Sequence, residues 1–347
     1  MYAFSDIVAY ILIAWVLSMV GEPIMNFLDR RLRFKKFKAG KSVCAVLTLL
    51  FFVLISTALV SVFVPLIAEQ GEQLSQADYT SIANSLEEPI NYINGWAEKL
   101  GVTTEGRTPE EQISNLLSGW FDPSYVSNLL SSLFSTASSI LIGVFSVFFI
   151  AFFFLREQGL FTAMIKVFAP ERYGDQIVSA VDSVSRMLSR YFGGILIQIT
   201  IITLFVTIGL SIFGIKNALL IGFFAALINV IPYLGPLLGA TFAVFITISS
   251  NLDLDFIGQV VPMITKVAIV FAAMQMLDNF VLQPVIFSNS VMAHPLEVFI
   301  VIMIGNSING PVGMILAIPA YTVLRVMART FLKEWRVVQN ITKSLEG

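Results

Sequence analysis

The chain has 347 residues, of which 56% are hydrophobic, 13% are charged and 30 are Phe. A soluble domain carries about a quarter charged residues, and a soluble fold of this size has too few buried positions for so much apolar surface, so the composition identifies an integral membrane protein. A formal net charge of −2 argues against nucleic acid as a partner, and a single Cys (Cys44) and a single His (His294) exclude a disulfide framework and a Cys/His zinc site.

A transmembrane helix needs about 20 mostly apolar residues. The first candidate, residues 7–20, can continue to 28 past Glu22 and Pro23. Residues 29–41 (DRRLRFKKFKAGK) hold seven basic side chains, Arg30, Arg31, Arg33, Lys35, Lys36, Lys38 and Lys41, which predicts a cytoplasmic loop. The span 42–68 then exits, and Cys44 near its start reads as a small buried hydrophobe. Residues 69–122 carry ten acidic groups against Lys99 and Arg107, which suits a small extracytoplasmic region of short helices. The span 134–155 returns inside. In residues 156–190, Ile177, Val181, Val184, Leu188 and Tyr191 recur at helical spacing, and Asp182 and Arg186 form an i,i+4 pair. They predict a cytoplasmic amphipathic helix. Residues 191–215 form the next span.

Residues 217–252 are too long for one simple helix and contain NVIPYLGPLLG, where Pro232 and Pro236 remove backbone donors and Gly235 and Gly239 permit a tight turn. A hairpin fits, inward over 217–231 and back over 237–250. Residues 262–285 form a span interrupted by Lys266 and Asp278. A second break, IGNSINGPVGM, carries Gly305, Gly310, Pro311 and Gly313, with Asn306, Ser307 and Asn309. Counting sides brings the two hairpins in from opposite faces, the arrangement that points to a secondary transporter's binding site. The basic stretch from Arg325 to Lys343 places the C-terminus in the cytoplasm. The expected architecture is therefore all-α. It is a polytopic helical membrane protein with two re-entrant or broken hairpins in its C-terminal half. Its regions are residues 1–68, 69–133, 134–190, a transport core 191–333 and a tail 334–347.

A carboxylate in a span is costly and should face a cavity or a partner. Gln275, Asp278, Asn279 and Leu282 fall at i, i+3, i+4 and i+7, so the three polar groups share a helical face. Either they line a substrate path, with Asp278 binding a cation, a proton or a hydroxyl, or Asp278 caps the hairpin or pairs with Lys266 or Arg325. Asn229, Tyr233, Asn306, Ser307 and Asn309 either hydrogen-bond a small polyol or satisfy freed backbone groups. His294 before Pro295 reads as a turn residue. No Walker A loop, GxSxG, HExxH or dinucleotide fingerprint occurs, so neither enzymatic activity nor a cofactor or metal is expected.

Five stretches carry a family resemblance: GEPIMNFLDR (21–30), YFGGILIQ (191–198), INVIPYLGPLLGA (228–240), LDNFVLQPVIFSNSVMAHPLEVFIVIMIG (277–305) and GPVGMILAIPAYTVLR (310–325). With these the chain resembles the autoinducer-2 exporter (AI-2E) family of bacterial permeases. The resemblance implies a multi-span inner-membrane protein, a homo-oligomer reported as pentameric, that moves a small molecule without ATP. The substrate it implies is the quorum-sensing signal, a small furanone-derived polyol; some relatives are linked to sodium/proton exchange instead. Relatives carry one more span ahead of residue 7, so the chain is expected to have an incomplete start or a shortened one. A scaffold that transports nothing is the contrasting expectation, and it calls for a packed interior around Asp278.

Overall fold

The computed structural model describes residues 2–34, 37–38, 40–76, 137–168, 170, 173–251, 254–287 and 294–331. The expected extracytoplasmic helices fall outside the described residues from position 77 on, and so does the tail 334–347. Hydrocarbon offers no partner to a backbone amide, so the chain satisfies its own N–H and C=O groups in helices. A short antiparallel ribbon, β1 (Arg33–Phe34) with β2 (Phe37–Lys38), is the exception among the described residues.

Helix α1 (Tyr2–Leu32) runs without interruption through Glu22 and Pro23, and α2 (Lys41–Gln76) continues past the expected end at 68. Helix α3 (Ala137–Arg156) bends by 99° into α4 (Leu160–Phe168) across a turn in which Gly159 takes a positive φ of 89°. These helices share one core, in which Ala14, Cys44, Ala45 and Ala151 are fully buried. Small residues let helix backbones approach where lipid supplies no hydrophobic drive.

Helix α5 (Gly174–Ile212) is 39 residues long, about 58 Å, nearly twice the hydrocarbon thickness. The expected amphipathic helix and the span after it are thus a single rod. The apolar face of its first half, with Ala180, Val184 and Leu188, packs on Met19 and Val326 of the same chain. The expected ion pair does not close. Asp182 accepts from Thr162, and Arg186 donates to Ser183, both at 3.4 Å, in keeping with the small worth of exposed ion pairs.

The first break is a true reversal between α6 (Ala218–Ile228) and α7 (Leu234–Ser249). A Cβ on Gly239 would lie 3.5 Å from the Ala225 Cα, although fourteen positions separate them. Between the helices Leu234 N–H donates to the Pro232 carbonyl at 2.8 Å around Tyr233 (φ 67°, ψ −47°), a γ-turn in its strained, positive-φ form. Then come a π-turn (Phe256–Val260), α8 (Val261–Leu277), a second π-turn (Asp278–Leu282), α9 (Gln283–Phe287) and α10 (Pro295–Phe331).

By length and apolarity Leu296–Phe331 is one of five stretches among the described residues suited to crossing a membrane. It is nevertheless folded back on itself at Asn309 and Gly310, the latter at φ 53°, ψ −138°. A Cβ on Gly305 would come within 3.0 Å of the Ala317 Cβ, positions that a continuous helix holds about 18 Å apart. The two arms touch backbone to backbone at Gly305 and Gly313.

The hairpins open at opposite ends of α5. The mouth of the first is closed by Asn217 donating to Ser250 at 3.0 Å, directly after α5 ends. The arms of the second are joined by Tyr321 donating to Glu297 at 2.7 Å, and Val326 beyond them packs on the starting half of α5. The first hairpin's tip packs against the second, with Ile231 set among Ile302 and Ala317. His294 serves as the turn residue expected: its ring nitrogen and carbonyl accept the amides that open α10.

Because Gly305 and Gly313 touch through backbone atoms, a methyl group there has nowhere to go. Gly305→Ala is expected to cost about 1–3 kcal/mol and to lower the thermal unfolding midpoint in detergent. Gly193→Ala, whose Cβ meets nothing within 4 Å, is expected to hold or raise it. Equal midpoints for the two variants would contradict the hairpin packing.

Candidate functional site

The buried stripe of α5 reads Val184, Leu188, Tyr191, Ile195, Gln198, Ile202, Val206, Leu210. Gln198 is the one carboxamide in this otherwise apolar seam. It is 4% exposed, and its Nε2 donates to Asp278 Oδ1 at 2.7 Å. Asp278 is completely buried where α8 widens into the second π-turn. Its Oδ2 accepts from Asn229 Nδ2 at 3.0 Å and from Gln283 Nε2 at 2.8 Å. The carboxyl group is thus addressed by N–H donors from α5, from the tip of the first hairpin and from α9, which suits a group that only accepts. Hydrogen bonds to a carboxylate contribute about 1.5–3 kcal/mol each, against several kcal/mol for taking the ion out of water.

Each partner is there for a local reason. Asn229 is the C-cap of α6, at the residue where Pro232 forces the helix to stop, so its side chain is free to turn toward Asp278. Gln283 stands five residues after Asp278. In an α-helix it would miss the carboxylate, but a π-turn stacks positions i and i+5. Pro284 favours that widening, since it has no N–H for the Phe280 carbonyl. The network extends outward through Asn279, whose Oδ1 accepts from Gln283 at 3.3 Å and from Gln275 at 3.0 Å.

Two acceptors in this network have no partner among the described residues: Asn229 Oδ1 and Gln275 Oε1, both buried. Asn229 itself is 5% exposed.

Of the residues singled out in the sequence, the structure joins Asp278 to Asn229, and Gln275 to Asn279. Asn279 is exposed, while Asp278 beside it is buried. Asp278 meets carboxamides rather than Lys266. Tyr233 is half exposed, with its ring tilted against Phe299 at 6.2 Å. Asn306 and Asn309 are exposed at the second tip. Gln198 and Gln283 escape a reading by helical periodicity around Asp278. A carboxamide at a seam position of α5 was the signal for the first, and Pro284 for the second.

A second polar cluster holds the mouth of the first hairpin. Asn217, at φ 56°, donates to Gln70 Oε1 at 2.8 Å; Gln70 donates to Ser249 Oγ at 2.9 Å; Lys216 Nζ donates to the Ser250 carbonyl at 3.2 Å. This ties the end of α2 to both ends of the hairpin.

The model of one protein family, described as AI-2E family transporter, matches residues 1–333. YueF of Bacillus subtilis (strain 168), provisionally named a transport protein, is 25% identical over 323 residues, which cover 90% of this chain and 81% of YueF. YrrI of the same strain, provisionally named likewise, is 28% identical over 185 residues, or 53% of this chain and 50% of YrrI. With that match over residues 1–333 and its set of long apolar helices, this multi-pass membrane protein belongs to the AI-2E family of transporters.

Proposed function

We propose that the chain is a secondary transporter that moves a small polar molecule by alternating access, without ATP and without catalysis. The observation that carries this reading is the enclosed Asp278, held by carboxamides from three separate elements, with two buried acceptors beside it still unpartnered. Asp278 is completely buried, which a scaffold with a packed interior also calls for. Unmet carbonyl oxygens at Asn229 and Gln275 instead call for a ligand that donates, and a polyol's hydroxyls do so. The autoinducer-2 signal in the family's name is one such polyol. Complete enclosure of Asp278 fits an occluded state, and movement of the hairpins relative to α1–α3 would open it to one side.

Asn229, Gln275 and Asp278 are the substrate-binding groups in this reading, with Asn279 and Tyr233 at the rim and Asn306 and Asn309 contributing when the second hairpin moves. Sodium/proton exchange is the second reading. It is favoured by the same set of oxygens, since a carboxylate and two carbonyls also suit a dehydrated monovalent cation. The setting proposed is a bacterial inner membrane, with residues 29–41 and the C-terminus cytoplasmic, and with the protomers assembled as a homo-oligomer, a pentamer by family resemblance.

Vesicles containing the full chain test this. Asp278→Asn and Asn229→Leu are expected to reduce uptake of labelled substrate roughly tenfold or more while leaving size-exclusion behaviour intact; Tyr233→Phe is expected to reduce it less. Uptake unchanged in both Asp278→Asn and Asn229→Leu removes the site. A sodium pulse that dissipates a pH gradient, and fails to do so in Asp278→Asn, selects exchange; a flat response excludes it.

Stability gives an independent check on the network. Gln198→Leu deprives Asp278 Oδ1 of its donor and is expected to cost about 1–3 kcal/mol. Because Gln198→Leu and Asp278→Leu each break the same hydrogen bond, the double variant Gln198→Leu/Asp278→Leu is expected to cost less than the sum of the two single variants. Thermal unfolding of the purified variants in detergent compares the double variant with that sum.

A further inference from the structure

Two cavities flank the first half of α5. The smaller, of about 380 Å³, has Arg186 and Arg190 on one wall and the carboxylates Glu22 and Asp182 on others, so its charge is mixed. The larger, of about 630 Å³, lies between α5 and α10 and is bordered by the same two arginines together with Arg329, against a single carboxylate, Asp175. We propose that this larger cavity binds a phosphate group, carried by an anionic phospholipid headgroup or free in solution.

The guanidinium fork matches phosphate oxygens in pairs, and three forks around one concavity outweigh the one opposing carboxylate. The Ser183 hydroxyl, also in the wall, accepts from Arg186 Nη2 at 3.4 Å and so helps hold that fork at the cavity. The depth is right for a headgroup. Arg190 directly precedes Tyr191, where the charge-free part of α5 begins, and Arg329 lies one helical turn beyond Arg325, the residue that ends the charge-free part of α10. Both helices therefore leave their apolar stretch at this cavity, where arginine side chains reach lipid phosphates. Met187 and Val326 give it an apolar flank that suits the glycerol and first methylenes of a lipid. The site joins the start of α5 to the second arm of the second hairpin, so its occupant clamps a hairpin arm to the long helix.

The test is thermal unfolding of the full-length protein in a neutral detergent, titrated separately with phosphatidylglycerol, phosphatidylcholine and inorganic phosphate. A midpoint raised by phosphatidylglycerol but not by the other two, with apparent affinity falling roughly tenfold in Arg190→Gln and further in Arg186→Gln/Arg190→Gln/Arg329→Gln, supports the site with lipid as the source. A rise with inorganic phosphate that the same variants lose supports it with free phosphate as the source. Arg156→Gln, at an exposed arginine beside Glu157 and outside the cavity, is expected to leave either response unchanged. No shift with either anion, a shift that survives the triple variant, or one reduced equally by Arg156→Gln overturns the proposal.

Discussion

Hydrocarbon has no hydrogen bonds to offer, so a polar group placed at the depth of Gln198 needs a partner from elsewhere in the chain or from a ligand. Asp278 is where that demand is greatest. Its two oxygens draw in a side chain of α5, the C-cap residue of α6 and the first residue of α9, a polar tie added to the apolar core through which α5 and α6 already pack. The helix break and the carboxylate solve each other's problem. The stop at Asn229 frees a carboxamide where the backbone can no longer continue as a helix, and that carboxamide is spent on Asp278. Moving the hairpin tip therefore means undoing a hydrogen bond to a buried carboxyl group.

The first hairpin is consequently pinned by polar contacts at both ends. Its tip is held by Asp278 and its mouth by Gln70, Asn217 and Ser250. Between the two it packs through apolar side chains such as Ile221, Ala225, Ala243 and Ile246. Apolar packing tolerates sliding, whereas a hydrogen-bonded pair is either made or broken. Two polar locks thus bracket an apolar interior. Because Gln70 belongs to α2, the outer lock is also the point at which the hairpin is attached to the helices before residue 77.

Composition, gaps between charges and the Pro/Gly clusters were enough to read the helical membrane architecture and both reversals, since each depends on local chemistry. Glycines at 305 and 313 and prolines at 232 and 236 report backbone events at their own positions. The partners of Asp278 were harder to read, because they depend on how distant elements meet. Gln198 lies eighty positions away, and its role emerges once the stripe of α5 is known to face α8. Gln283 was obscured for a different reason. Periodicity assumes 3.6 residues per turn, and the π-turn at Asp278–Leu282 breaks that assumption where it matters, bringing in a residue one position further on. The join between the amphipathic helix and the span in α5 was missed because the change in charge at Arg190 looks like a boundary, although nothing in the backbone interrupts the helix.

The two hairpins are alike in path but not in chemistry. The second reverses through Gly310, a residue at ease with positive φ, and its arms meet through glycine backbones. The first reverses through Tyr233, whose positive φ costs a non-glycine residue about 1–3 kcal/mol. A cost of that kind persists only where the surroundings over-determine the conformation, and here they do: Pro232 fixes φ just before it, Gly235 fits against the Ile228 carbonyl where no Cβ has room, and Asn229 is tethered to Asp278. The strained tip is thus the one that holds the carboxyl group, while the relaxed second tip leaves Asn306 and Asn309 exposed.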